Sequence, residues 1–458
     1  MPAISLGLRH HALWRIAVCR PFGTWCANLS LIEGRRVIPW IVSASVLATL
    51  LVTMVVLNFR KPEKEPHHRV DRSYSIRDPQ FKREMGVLLG PAIVGGNRIE
   101  ALQNGDEIFP AMLAAIRAAR RTITFETYIY WSGDIGAEFA QALIERAQAG
   151  VKVHLMLDWV GCDKISADLV SRMKRGGVEV ERYHPVRWYT LGRLNNRTHR
   201  KVLTVDGMVS FTGGVGIADQ WLGHAQDGAH WRDMHFKVSG PVVAQMQAAF
   251  LDNWIKTTGH VLHGDAYFPE IGSNGDLAMQ MFISSPEGGS DSMRLMYLTA
   301  ITAAERRIDI EAAYFVPDRL MIRELISARR RGVRIRLIVP GAHIDAQTVG
   351  LASKHEWGPL LESGVQIFIY QPTMLHCKML IFDEYMVSVG STNFDMRSFE
   401  LNDEASLNVY DPQFASEMTH VFESDIQRST PYTREQWRAR PLRERWEEIV
   451  ITPIRSQL

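Results

Sequence analysis

The feature that most constrains this chain is an internal repeat. Residues 115–126 read AIRAARRTITFE and residues 300–311 read AITAAERRIDIE. In each copy an amphipathic helix ends in Arg-rich polar residues, and an alternating apolar strand follows that finishes on a glutamate. A duplicated unit of this kind predicts two similar halves that fold by the same rules.

The elements after these strands stay in step in the two copies. A second helix is predicted over 135–148 and over 319–331, and each ends at a glycine, Gly150 or Gly332. An apolar strand follows each glycine. Strands that alternate with helices predict an α/β sandwich with a mostly buried sheet in each half.

The predicted organisation has seven segments. These are an N-terminal tail (1–36), a transmembrane helix (37–57), a juxtamembrane linker (58–85), a first half (86–262), a linker (263–285), a second half (286–430) and a C-terminal tail (431–458). The second linker is placed where Gly264, Gly272 and Gly275 cluster.

Composition fits a folded protein of this size. The 458 residues are 46% hydrophobic and 22% charged, which excludes disorder as the main state. Residues 1–72 hold ten Lys/Arg and four Asp/Glu, leaving 42 against 46 for the remainder. The large C-terminal part therefore lacks the basic footprint of a dedicated nucleic-acid binder, and no nucleic-acid partner is expected.

The cysteines predict neither a disulfide framework nor a metal site. Cys19, Cys26, Cys162 and Cys377 are few and scattered, and none forms a CxxC pair. We expect no metal and no cofactor.

Residues 37–57 form an uncharged stretch between Arg35-Arg36 and Arg60-Lys61, long enough to cross a hydrocarbon core as a helix. A buried core helix is the alternative, but a helix of that length usually shows a polar face. A cleaved signal peptide fits less well because the stretch lacks an Ala-x-Ala exit. The sequence thus predicts a single-pass anchor in the cell (inner) membrane. More Lys/Arg follow the span closely than precede it, which favours a cytoplasmic location for the large C-terminal part.

Each half also carries a histidine, a lysine two residues later and an aspartate five residues after the lysine. The two sets are His199, Lys201 and Asp206 in the first half and His376, Lys378 and Asp383 in the second. Alternation along a strand places each histidine and lysine on one face, so that both can address one bound anion. A single HxK is common by chance, whereas two copies with matched spacing indicate a site.

A glycine-bearing turn follows each of these strands. It reads Gly213-Gly214 in the first half and Gly390-Ser391-Thr392-Asn393 in the second. Free backbone N–H groups in such turns are able to contact a phosphate.

With these motifs the chain resembles the phospholipase D superfamily, whose pattern is HxKxxxxD followed by GSxN. The resemblance covers roughly residues 86–430. Within the superfamily the chain is similar to the bacterial cardiolipin synthases, because of residues 314–318 (YFVPD), residues 231–233 (WRD) and the N-terminal anchor. The fold that this implies is two phospholipase D-like α/β sandwich halves packed as a pseudo-dimer around one active site.

The resemblance implies a division of labour between the two histidines. His199 would attack phosphorus, and His376 would protonate the departing oxygen. Lys201 and Lys378 would stabilise the charge on the phosphorane oxygens, with Asn393 as a neutral donor. The first half departs from the pattern, because Gly216 stands where the family has asparagine.

Carboxylates are expected to orient the histidines, since a nucleophilic imidazole needs its other nitrogen fixed. Asp233 and Glu404 occupy equivalent positions, and by resemblance each bonds the histidine of its own half. Asp206 and Asp383, at the far end of each strand, are interpreted as structural, holding turns and neighbouring basic groups away from phosphorus.

The function implied is that of a membrane-anchored phosphatidyltransferase. It would form cardiolipin and glycerol from two phosphatidylglycerol molecules through a phosphohistidine. A hydrolytic phospholipase D using the same site is the nearest alternative, and a nuclease-type phosphodiesterase is another. A non-catalytic membrane scaffold would explain the anchor but not the paired His-Lys motifs. The sequence leaves the oligomeric state open.

Overall fold

The computed structural model describes residues 39–54, 74–185, 196–285 and 291–451. The chain divides into two units, residues 1–62 and residues 63–458. In the first unit, residues 39–54 form helix α1. The ends of the predicted span, residues 37–38 and 55–57, lie outside the described residues, as do the predicted tail 1–36 and residues 58–73 of the first linker. Within the described ranges, no helix combines the length and the apolar character needed to cross a bilayer.

The second unit begins with a short helical segment and continues into the first half. Its elements are α2 (Pro79–Glu84), a π-helical turn (Met85–Leu89), β1 (Val94–Gln103), α3 (Asn104–Ala118), β2 (Thr122–Thr127), α4 (Asp134–Gln148), β3 (Lys152–Asp158), α5 (Ala167–Arg175), β4 (Glu179–Tyr183), β5 (Arg197–Thr198), β6 (Val202–Val205), β7 (Val209–Gly213), a 3-10 turn (Asp219–Trp221), β8 (Met234–Ser239) and α6 (Val243–Thr258).

The second half repeats the main strands and helices of the first and adds short elements of its own. Its elements are β9 (Leu277–Ser284), α7 (Asp291–Ala303), β10 (Arg307–Ala312), β11 (Phe315–Val316), α8 (Arg319–Arg330), β12 (Arg334–Pro340), α9 (Gln347–Ser363), β13 (Gln366–Tyr370), β14 (Lys378–Phe382), β15 (Met386–Gly390), β16 (Phe394–Asp395), α10 (Met396–Glu400), β17 (Asn402–Tyr410), α11 (Pro412–Gln427), β18 (Ser429–Tyr432), α12 (Arg434–Arg438) and α13 (Leu442–Ile451).

One large mixed sheet runs through both halves. Its order is β18-β13-β12-β10-β14-β15-β17-β9-β1-β8-β7-β6-β2-β3-β4. Read outward from the antiparallel β9–β1 pair, β17-β15-β14-β10-β12-β13 on one side mirrors β8-β7-β6-β2-β3-β4 on the other. The mixed α/β fold predicted from the repeat is therefore present, with the two copies fused edge to edge.

Helices cover the sheet in a way that explains its buried strands. Each half has its own apolar core under helices α3 to α5 or α7 to α9. A third core is shared: α6 of the first half and α11 of the second pack with strands from both. Strands buried on both faces read as continuous apolar runs, as β14 does after Lys378.

Buried polar contacts also cross between the halves. The short strand β5 pairs with β17, and the backbone of Arg232 pairs with that of Leu375. The Arg232 guanidinium bonds Asp425 at 2.9 Å, and both side chains are buried. These contacts place the first-half motif against second-half backbone, and the second-half motif against first-half backbone.

Three segments predicted as linkers or as the C-terminal tail contain regular structure that packs with the second unit. Residues 277–284 of the predicted linker form β9, the counterpart of β1. The predicted tail contains α12 and α13, and Trp437 packs against the second-half core. Residues 74–85 of the predicted juxtamembrane linker include α2, whose Phe81 is buried together with Ile76 and Met85. The Lys and Arg residues among Ile76, Phe81 and Met85 make the segment look like an exposed linker in the sequence.

The second half depends on that N-terminal segment. Ile76, Phe81 and Met85 are fully buried in its core, and Met85 O accepts a bond from Gln280 Nε2. We expect deletion of residues 1–73 to leave the free energy of unfolding of residues 74–458 unchanged. Deletion of 1–89 should lower it by roughly 5 kcal/mol, because three large apolar side chains leave the core. Denaturant unfolding followed by circular dichroism measures both.

A matched pair of point variants checks that prediction within one segment. Phe81→Ala should cost about 3 kcal/mol or more, whereas Val87→Ala, at a side chain 86% exposed, should cost less than about 0.5 kcal/mol. Equal effects of the two variants would show that the segment is not part of the second-half core.

Candidate active site

The two His-Lys motifs lie just before and within strands at the boundary between the halves. His199 follows β5 and donates its backbone N–H to Asp403 O at 2.8 Å. His376 precedes β14 and donates its N–H to Arg232 O, also at 2.8 Å. Each histidine is thus fixed by backbone of the other half, and both line one cavity.

The lysines are held close to the histidines of their own motifs. Lys201 Nζ donates to His199 O at 2.8 Å, and Lys378 Nζ donates to His376 O at 2.6 Å. Lys378 Nζ also lies 3.1 Å from His376 Nε2. The predicted sharing of one face by histidine and lysine is present in both motifs.

The carboxylates bond the histidines across the boundary, so the predicted pairing within each half is wrong. His199 Nδ1 lies 3.0 Å from both oxygens of Glu404. His376 Nδ1 lies 2.7 Å from Asp233 Oδ2. The cause is the strand pairing: β17, which carries Glu404, runs alongside β5, and the segment before β8 runs alongside the approach to β14. Neither half holds a complete site.

The second-half carboxylate is itself oriented by neighbouring polar groups. Ser391 Oγ donates to Glu404 Oε2 at 2.6 Å, and Asn402 Nδ2 donates to Glu404 Oε1 at 3.2 Å. Because Glu404 is fully buried, these bonds fix the face it presents to the imidazole.

The first half orients its carboxylate with different groups. Trp221 Nε1 donates to Asp233 Oδ2 at 2.9 Å, and Met234 N donates to Asp233 Oδ1 at 2.8 Å. Gly214 stands where the second half has Ser391, and a Cβ on Gly214 would approach Asp233 Oδ1 to 2.2 Å. An indole N–H reaching in from the 3-10 turn therefore takes the place of the serine hydroxyl.

The departure at Gly216 has a steric cause. A Cβ there would lie 2.8 Å from Ile129 Cβ and 3.2 Å from Trp221 Cζ3. The indole that bonds Asp233 thus occupies the space that a longer side chain would need. In the second half Asn393 lines the cavity, and within the described ranges its Oδ1 has no hydrogen-bond partner.

The glycine turns are bonded into the sheet. Gly214 N donates to Met234 O at 3.1 Å, and Ser391 N donates to Ala405 O at 2.9 Å. These two amides are therefore not free for phosphate, contrary to the sequence interpretation. Gly213 and Gly390 end β7 and β15 where a Cβ would meet backbone oxygen of the next strand at 2.5 or 2.2 Å. Their role is close backbone packing.

Asp206 and Asp383 lie away from the cavity lining and cap equivalent turns. The Asp206 carboxylate accepts the backbone N–H groups of residues 120–122. The Asp383 carboxylate accepts those of residues 305–307. Both close the junction between a helix and the strand that follows it.

Burial sets the protonation of the histidines. It lowers the pKa of His199 to about 4, with the charges of Lys201 and Lys378 acting in the same direction. Burial and the charge of Lys378 also lower the pKa of His376. Both imidazoles are therefore neutral at pH 7, which is the nucleophilic form.

The four charged groups around the histidines respond to burial differently. Burial and the charge of Lys378 lower the pKa of Lys201 to about 7, and burial lowers that of Lys378. Burial opposes ionisation of Asp233 and Glu404, yet the histidines and lysines beside them hold both pKa values below the ordinary range. The site thus pairs two carboxylates with two ammonium groups whose charge a bound anion would stabilise.

The shared cavity has a volume of about 460 Å³ and is lined by aromatic and charged side chains from both halves. Besides His199, Lys201, His376 and Asn393, its lining includes Tyr128, Trp131, Lys164, Arg197, Trp231, Tyr314, Asp345 and Arg397. The sequence motifs did not single out Trp221, Tyr128 or Asp345 for the site. The missing serine and asparagine of the first half were the one available signal that another group must replace them.

Known proteins resemble this chain in sequence and fold. The family described as "Cardiolipin synthase, PLD-like domain" matches residues 112–254 and 297–426. Cardiolipin synthase A of Pseudomonas fluorescens is 33% identical over 346 residues, 75% of this chain and 72% of that protein. Cardiolipin synthase A of Pseudomonas putida (strain GB-1) is 31% identical over 445 residues, 93% of this chain and 91% of that one.

A solved structure extends the comparison to the fold. The phosphatidylserine synthase of Haemophilus influenzae Rd KW20 has a TM-score of 0.63 at 14% identity, covering 82% of this chain and 100% of that one. At that identity the likeness shows the fold alone, and it includes both halves.

Proposed function

The chain belongs to the family of phospholipase D-like cardiolipin synthases, and from this premise we propose that it is a phosphatidyltransferase that makes cardiolipin. The substrates are two phosphatidylglycerol molecules, and the second product is glycerol. The observation that carries the proposal is a single cavity lined by both motif histidines, each bonded to a carboxylate of the opposite half.

In the first step His199 takes the phosphatidyl group. Because Nδ1 is bonded to Glu404, Nε2 is the nitrogen that attacks phosphorus. A P–N bond forms, the P–O bond to glycerol breaks, and His376 gives its proton to the departing alkoxide. Burial and Lys378 lower the pKa of His376, and the negative charge of a bound phosphodiester opposes that shift and favours the protonated form.

Charge stabilisation in this step comes from the lysines. Lys201 and Lys378 place ammonium groups beside the histidines, where the phosphorane oxygens gain negative charge. The Asn393 amide supplies a neutral donor from the second half only. The first half offers no equivalent side chain, because Gly216 is packed against Ile129 and Trp221.

In the second step His376, now neutral, takes the proton from the hydroxyl of the acceptor phosphatidylglycerol. A new P–O bond forms and the P–N bond to His199 breaks, which returns His199 as the free imidazole and His376 as the imidazolium that the next first step needs. Water would give phosphatidic acid through the same sequence, so a hydrolytic phospholipase D differs only in the acceptor. A positioned lipid hydroxyl gains from its high effective concentration.

The N-terminal segment supports a membrane location. We propose that residues 37–57 anchor the chain in the inner membrane as one span, with the catalytic part in the cytoplasm. The described helix α1 carries exposed apolar side chains, among them Trp40 and Leu47. An anchor of this kind holds the cavity at a surface rich in lipid hydroxyls.

The test is the product ratio with phosphatidylglycerol as the only lipid. We expect cardiolipin and free glycerol in equal amounts, with little phosphatidic acid, because the phosphohistidine meets a lipid hydroxyl before water. Labelled substrate, chromatography and mass spectrometry measure all three. Phosphatidic acid as the main product at every lipid density tried would assign the hydrolase instead.

A further inference from the structure

A second, apolar cavity adjoins the catalytic cavity on the side of the second half. It has a volume of about 300 Å³ and lies between helix α9 and the ends of β12 and β13, with Val339, Ile344, Trp357 and Ile369 in its lining. Tyr314 and Val349 line both cavities. The two cavities are therefore adjacent, and they meet at these two side chains.

The polar side chains of this second cavity are already bonded within the protein. Ser353 Oγ accepts from Trp357 Nε1 at 3.0 Å, and Lys354 Nζ bonds Glu444 at 2.9 Å. Gln347 Nε2 donates to Ile344 O at 3.3 Å. With these groups engaged, the surface offered to an occupant is mainly hydrocarbon, and the occupant that it favours is apolar.

The outer end of the cavity leads to an exposed apolar edge. Leu351 of α9 lines the second cavity and also a shallow groove against Trp446 and Ile451 of α13. Trp446 is 67% exposed, and Leu442 on the same helix is 73% exposed. An exposed tryptophan and leucine beside an apolar opening suit contact with a lipid surface.

We propose that this second cavity, the acyl cavity, holds one acyl chain of the phospholipid whose phosphate sits between His199 and His376. The inference rests on the proposed function and adds where the lipid chain runs. A methylene is about the size of a water molecule, roughly 30 Å³, so the cavity takes on the order of ten methylenes. The rest of a long chain continues past Leu351 to the α13 edge.

Gly350 allows the acyl cavity to be filled without breaking the fold. It lies within α9, lines the cavity, and a Cβ there would meet only Ile344 side-chain atoms at 3.4 Å or more. Because glycine is unfavourable in a helix interior, a larger residue at this position should not destabilise α9. Gly350→Leu therefore fills the cavity, and Gly350→Ala is the matched control that fills little of it.

The first arm of the experiment compares a long-chain with a chain-free substrate. Gly350→Leu in the full-length protein should lower kcat/KM for dioleoyl phosphatidylglycerol by about tenfold or more, because several methylenes lose their apolar surroundings. The rate on bis(4-nitrophenyl) phosphate should stay within about twofold of wild type. Gly350→Ala should lie close to wild type on both. Equal losses on the two substrates, or no loss on the lipid, would overturn the proposal.

The second arm does not depend on turnover. The measurement is the tryptophan fluorescence of Trp357, taken as the difference in emission between the wild type and Trp357→Phe. Phosphatidylglycerol brominated on its acyl chains should quench this fluorescence, and Gly350→Leu should abolish the quenching. Absence of this quenching in the wild type would overturn the acyl cavity. Quenching without any cardiolipin formation would count against the proposed function while supporting the cavity.

Discussion

His199→Ala and His376→Ala should each abolish cardiolipin formation, with a loss of about 10⁴-fold or more in kcat. Nucleophile and acid act as a unit, so that removing either removes nearly the whole contribution of both, and the double variant should lose little more. The measurement is cardiolipin formed from labelled phosphatidylglycerol, in membranes that hold equal amounts of each variant.

The matched control is His224→Ala. His224 has an exposed side chain that pairs with Asp106, outside the cavity lining, and its loss should leave the rate within about twofold of wild type. Half of the activity surviving either motif variant would instead show two independent sites, one in each half.

Much of the architecture could be predicted because duplication repeats local patterns. The alternating apolar positions of β2 and β10 and the glycines that end the following helices have short-range causes, so the α/β order of each half can be read from the sequence. The same holds for the two motifs, in which alternation alone puts His and Lys on one face.

The sequence could not predict which elements far apart in the chain contact each other. Glu404 serves His199 because β17 pairs with β5 more than 200 positions earlier, and no local pattern encodes that choice. The burial of Phe81 in the second-half core has the same long-range character. Both the Glu404–His199 pairing and the burial of Phe81 depend on which strand edges and sheet faces remain uncovered once the two halves have joined.

The sequence also could not predict that Trp221 replaces a serine as the group that bonds the first-half carboxylate. The motif predicts which group is missing from the first half, since Gly214 and Gly216 stand at the Ser and Asn positions. It cannot predict the replacement, because an indole reaches Asp233 only through the path of the chain around the 3-10 turn. A side chain that replaces a missing group from elsewhere in the fold does not stand at a fixed spacing from the motif.

The crossed carboxylates have a consequence for kinetics that distinguishes their two roles. Glu404→Gln and Asp233→Asn should each lower the rate of cardiolipin formation by about 10³- to 10⁴-fold, because an amide no longer holds the imidazole in the required tautomer. Glu404 bonds His199, the proposed nucleophile, whereas Asp233 bonds His376, the proposed proton donor. The two losses therefore arise at different events in the same step.

A substrate with a good leaving group separates these events. With bis(4-nitrophenyl) phosphate, 4-nitrophenolate departs without a proton, so Asp233→Asn should retain its pre-steady-state release within about tenfold of wild type. Glu404→Gln should keep its full loss, since attack by His199 is still needed. Thermal unfolding of both variants checks that each remains folded. The opposite result, with Glu404→Gln rescued and Asp233→Asn not, would mean that each carboxylate serves the histidine of its own half during turnover.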